Sequence, residues 1–173
     1  MTICLIIKIL STFGVLVGFG FGIYQWYIAN KIKRAELIHQ IIEKLRLDPE
    51  MLETMNMIDY DEQWYGKEFH RNSDKEKRID KLFYYFTHVC YLRDREIINK
   101  EDFYIFEYSI NRIYRSKQAK TYLWNIYHFS KEHHAKSSFH YLIEYLLNNI
   151  FKEHEKDKFN SNDPEKSGYE KYL

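Results

Sequence analysis

From Ile9 to Ala29 the chain reads ILSTFGVLVGFGFGIYQWYIA, 21 residues without a charge. At 1.5 Å per residue a helix of this length spans roughly 31 Å, about the thickness of one bilayer hydrocarbon core. Lys8 is the one charged side chain in residues 1–30, while residues 31–173 hold the other 25 basic and all 25 acidic side chains. Two parts of one chain therefore need two different solvents. The run predicts a transmembrane helix over residues 1–30. A cleaved signal peptide fits less well: MTICLII has no basic residue before Lys8, the apolar run is too long, and no Ala-x-Ala-like site precedes Asn30. Tyr24, Trp26 and Tyr27 sit where an interfacial aromatic belt would, and Lys31, Lys33 and Arg34 follow. Three basic residues after the span against one before it predict a single-pass membrane protein with its C-terminal part in the cytoplasm.

The span carries a pattern. Gly14, Gly18 and Gly22 are spaced by four, making two overlapping Gly-x-x-x-Gly units. At about 100° per residue Ser11, Gly14, Gly18, Gly22, Gln25 and Ala29 share one arc of roughly 80°, with Lys8 beside it. Small residues let helix backbones approach in lipid, which predicts a packing seam. A second reading has the same stripe line a pore, since polar groups in a span favour a bundle interior or water. One helix cannot enclose water, so a pore needs a ring of copies. Either reading predicts a homo-oligomer in contact with membrane lipid.

Beyond the span the chain reads as all helix. Arg34, Ile38, Ile41, Ile42 and Leu45 form one stripe, so the membrane helix is expected to continue to Asp48-Pro49. Asp48 then caps a helix that starts at Pro49. Ser73 with Glu76 forms a capping box ahead of Ile79, Leu82, Phe83, Phe86, Val89 and Cys90. Asn99 caps a helix with Phe103, Phe106, Ile110, Ile113 and Tyr114 inward, and Tyr122, Leu123, Ile126 and Phe129 mark the next. Ser137 or Ser138 opens the last, with Phe139, Leu142, Ile143, Leu146, Leu147 and Ile150 as its apolar face. The expected division is a membrane helix over 1–30, a compact helical domain over 31–151, and a polar, frayed tail over 152–173.

Composition removes whole classes of function. With 26 Lys and Arg against 25 Asp and Glu there is no broad basic field for nucleic acid. Cys4 and Cys90 fall in different environments and build neither a disulfide framework nor a zinc site. His128 and Glu132, four apart, lack a third ligand by spacing, and no metal or other cofactor is expected. Phe83-Tyr84-Tyr85-Phe86 has the aromatic character of an RNA-stacking surface but the spacing of a helix core. There is no phosphate loop, nucleophile elbow or dinucleotide fingerprint.

Arg34-Ala-Glu-Leu-Ile-His39 has the Arg-to-His spacing of HEPN ribonucleases, in which His handles the 2′-hydroxyl and leaving oxygen while Arg stabilises phosphoryl charge. With its N-terminal span, small helical domain and this pair, the chain resembles the small membrane-anchored, HEPN-like accessory proteins of type VI-B CRISPR systems. That resemblance implies an all-α, HEPN-like fold and functional coupling to an RNA-guided, RNA-cutting effector. It also implies ring-forming membrane pores in antiviral defence, with the Ser11-Gly14-Gly18-Gly22-Gln25 stripe facing the ring interior or a neighbouring helix. Ala35 stands where active HEPN nucleases carry a polar residue, and the pair lies on the first helix instead of a C-terminal one. The expectation is therefore a non-enzymatic pore, with a membrane-tethered ribonuclease using Arg34 and His39, or a tethered scaffold, as the alternatives.

Overall fold

A computed structural model describes residues 2–60, 63–70 and 73–173, and for residues 2–7 and 9 the backbone only. The environment expected for Cys4 lies outside the described side chains. The structure is 78% helix, with no strand among the described residues. The chain divides into two units, Met1–Gln40 and Ile41–Leu173. Helix α1 (Thr2–Leu47) passes through the expected boundary at residue 30 without interruption.

The second unit begins with the last residues of α1 and continues with α2 (Pro49–Asp59), α3 (Asp74–Asp94), α4 (Lys100–Arg115), α5 (Lys117–Glu132), α6 (His140–Asn149), α7 (Glu153–Asn160) and α8 (Pro164–Ser167). The starts of α2, α3 and α4 have local causes. The Asp48 carboxylate accepts from the Glu50 and Met51 N–H groups at 3.1 Å, and Pro49 fills the first helical position. The Lys81 ammonium lies 2.7 Å from Asp48 and 2.6 Å from Glu50, and this pairing holds the Asp48 carboxyl below the usual carboxylate range. Ser73 accepts from Glu76 N–H at 3.1 Å, and Asn99 accepts from Asp102 N–H at 2.8 Å. Glu96, between α3 and α4, takes a left-handed backbone that reverses the chain.

Helix α3 is the centre of this unit and packs on α2, α4 and α6. Ile79, Leu82, Phe83, Phe86, Val89 and Cys90 are buried along it, as the periodicity predicts. Burial of each large apolar side chain contributes about 1.5–3 kcal/mol. Tyr85 is also buried because its hydroxyl donates to the Ile41 carbonyl at 2.9 Å. The Phe83–Phe86 run is thus mainly core, with Tyr84 exposed.

Two expectations are corrected. Residues 152–173 are not frayed: they fold as α7, α8 and an extended segment, and Phe159 is only 1% exposed. The Phe159 ring meets Tyr127 at 5.5 Å and Phe151 at 5.4 Å, while Glu155 accepts from the Lys152 N–H at 3.0 Å and from the Tyr114 hydroxyl. Three aromatics in a polar stretch are enough to anchor it. The inward face of α5 keeps Tyr122 and Leu123, as expected, but farther along it turns to residues that were not expected. Phe129 is 41% exposed, whereas Asn125 and His128 are buried at 2% and 3%. Burial of these polar groups is tolerated because the last residues of the chain satisfy them. Asn125 Nδ2 donates to the Glu170 carbonyl at 2.8 Å and its Oδ1 accepts the Tyr172 N–H at 2.7 Å. His128 Nε2 pairs with the Phe159 carbonyl at 2.9 Å. A shorter segment, residues 63–70, is fixed in a similar manner: Gln118 Oε1 accepts the N–H groups of both Trp64 and Tyr65, at 2.7 and 2.8 Å.

Candidate functional site

The first unit holds the residues singled out by the sequence. α1 includes one helix stretch, Leu10–Leu47, long and apolar enough to cross a membrane, and none of its apolar window is buried. Leu10, Phe13, Val15, Leu16, Val17, Phe19, Phe21 and Ile23 are all exposed, a surface that water does not tolerate in one contiguous patch. Beyond the local backbone of the helix itself, a Cβ added at Gly14, Gly18, Gly20 or Gly22 would meet nothing within 4 Å. The glycine face is therefore open along its length, and a second helix backbone can come close to it.

Polar groups on the span are handled unequally. The Ser11 and Thr12 hydroxyls both donate to the Lys8 carbonyl at 2.9 Å, so neither needs a partner outside the helix. Lys8 is exposed one turn ahead of them. Gln25 is exposed, and its amide has no hydrogen-bond partner among the described residues. It lies one turn before Ala29, beside Tyr24, Trp26 and Tyr27. Lys8, Ser11, Gly14, Gly18, Gly22 and Gln25 thus stay on one unobstructed side of a single helix.

Arg34 and His39 lie on that same helix, five residues apart. At 100° per residue their side chains leave the axis about 140° apart, so within one chain they diverge and cannot close on one phosphate. His39 is exposed, and Arg34 is half-buried. A composite site made by two copies is the arrangement left to them.

The remaining polar clusters in the second unit are tied into packing. Glu132 accepts from Lys171 at 2.9 Å and Asn162 at 3.0 Å, which holds its carboxyl below the usual range, and burial pushes the His128 imidazole down. The suggested His128–Glu132 metal pair is used to fasten the end of the chain. A further network escaped the sequence. Tyr65 hydroxyl meets His70 Nε2 at 2.9 Å, His70 Nδ1 meets Glu76 at 3.2 Å, and Tyr122 donates to Asp80. Both His70 nitrogens are satisfied when the Nδ1 proton goes to Glu76 and Nε2 accepts from Tyr65. Burial pushes the Asp80 carboxyl and both tyrosine hydroxyls up. Trp64, Phe69 and Tyr122 pack around it with ring centroids 5.4–6.0 Å apart. These groups come from the segment before α3, from α3 and from α5, and no linear spacing could reveal them.

Comparison with protein-family models, curated proteins and solved structures finds no match to this chain.

Proposed function

We propose that this chain is a single-span, non-enzymatic membrane protein that assembles through α1 into an oligomeric ring and permeabilises or depolarises the membrane in CRISPR-coupled antiphage defence. The observation that carries the reading is the span itself: a wholly exposed apolar helix whose glycine face is unobstructed from Gly14 to Gly22. The hydrophobic effect supplies no force between helices once both are in lipid, so close backbone packing at small residues is what such a face offers. With the glycine arc taken as the packing seam, Lys8 at its edge is the polar group that a ring would turn inward. Lys31, Lys33 and Arg34 support a cytoplasmic second unit in a bacterial inner membrane. The defence context and the coupling to an RNA-guided effector rest on the resemblance alone. The ribonuclease alternative needs Arg34 and His39 of two copies to meet, and it rests on their spacing alone.

Gly18→Ile tests the reading. Beyond the local backbone of its own helix nothing lies within 4 Å of the new Cβ, so the substitution fits the isolated subunit and obstructs only a neighbour. In liposomes loaded with a potential-sensitive dye, the wild type should dissipate an imposed potassium potential and Gly18→Ile should not, with unchanged melting of the second unit. A monomeric wild type by light scattering in detergent, or an intact potential with protein inserted, overturns the proposal. RNA cutting by the purified chain that disappears in His39→Ala would transfer the function to the ribonuclease reading.

A further inference from the structure

Helix α4 has two opposite faces, one buried and one that leaves apolar side chains exposed. Phe103, Phe106, Ile110 and Ile113 are buried against the rest of the second unit. On the other side Tyr104, Ile105 and Tyr108 are 73%, 51% and 71% exposed. At 100° per residue these three, Glu101 and Arg115 fall within one arc of about 100°. The stripe is ordered along its length: exposed Glu101 at its N-terminal end, the aromatic and aliphatic group in the middle, exposed Arg115 at its C-terminal end. Arg112, on the same arc, pairs with Asp59 of α2, and its guanidinium covers the Tyr108 ring at 5.7 Å.

A stripe that is acidic at one end, apolar in the middle and basic at the other is complementary to itself when reversed. Two copies of α4 laid antiparallel, with Tyr108 at the two-fold axis, place Glu101 of each against Arg115 of the other and cover Tyr104, Ile105 and Tyr108 together. The helix dipoles then also oppose favourably. We infer that the exposed face of α4 is an isologous docking surface for a second copy of this chain. Such a pair closes after two copies. It uses no residue of α1 and stands or falls separately from the pore.

The full-length chain tests this in detergent. With Cys4 replaced by Ser, leaving buried Cys90 as the native thiol, Tyr108→Cys should be joined to its own counterpart by a short bis-maleimide, because packed helices lie about 8–10 Å apart. Tyr84→Cys, also exposed but on α3, should not be. Glu101→Arg and Arg115→Glu each turn two attractions into two repulsions and should raise the dimer dissociation constant about tenfold, or 1.4 kcal/mol. The double variant should recover wild-type affinity. All of this should persist in the Gly18→Ile background. Equal crosslinking at positions 84 and 108, or a double variant no tighter than the singles, overturns the inference. So does a thiol at position 108 that lipid vesicles shield while no crosslink forms, since the face would then rest on lipid.

Discussion

Phe159→Ala is expected to be among the most damaging single changes in the second unit, although it lies in a stretch of Lys, Glu, Asp and Asn. The ring is 1% exposed and packs against Tyr127, Phe151 and Tyr169, while the carbonyl of the same residue is the partner of buried His128. Removing a buried Phe ring costs about 3–5 kcal/mol, from lost transfer energy and the cavity left behind. For a unit of this size that corresponds to a fall of about 10–20 °C in melting temperature. A reporter is built in, because the Trp124 indole donates to the Ser161 carbonyl at 3.0 Å, two residues from the deleted ring. Tryptophan emission followed through thermal unfolding of the full chain in detergent gives the number. If residues 152–173 were only loosely attached, the change would behave as a surface substitution, within about 0.5 kcal/mol. A shift under about 2 °C would refute the packing described for this segment.

His128 makes stability depend on pH in a defined direction. Burial lowers its folded-state pKa beneath the 6.5 of the free side chain, so the unfolded chain binds the extra proton first. The contribution is complete above pH 6.5 and is lost as pH falls toward the lowered value. His128→Gln keeps an N–H donor near the Phe159 carbonyl and should flatten that part of the profile; an unchanged slope contradicts the assignment. For topology, a reporter active only in the cytoplasm and fused after Leu173 should work in living cells, and silence despite good expression would reverse the orientation.

Three helix starts were legible because a cap is a local device. Asp48, Ser73 and Asn99 each bond an N–H two or three residues ahead, and nothing distant is needed to read them. The cores of α3 and α4 were legible for a related reason: their buried faces are built from apolar residues at helical spacing, uninterrupted by polar ones. α5 passed this test only in part: Tyr122 and Leu123 are buried, while Phe129 is not. Its buried face includes Asn125 and His128, whose partners lie 31 to 47 residues later, in a segment that composition marks as unstructured. One misreading caused the other. The Tyr65–His70–Glu76 cluster shares that difficulty, because residues 63–70 have no period and take their partners from distant α3 and α5, among them Gln118, Glu76 and Tyr122. On the span, spacing identified the glycine face directly, since in a lone helix angular position is the whole of the geometry.

The central claim is that α1 forms a conduit with Lys8 repeated around one mouth. A ring of like positive charges disfavours cations entering there, as basic rings do in anion-selective pores. Single-channel recording of the purified chain in planar bilayers under a salt gradient tests this most directly, comparing wild type with Lys8→Glu. Discrete conductance is predicted, with a reversal potential that moves toward cation preference in the variant. Conductance with unchanged selectivity would remove Lys8 from the lining, and the absence of any conductance from inserted wild-type protein would contradict the account.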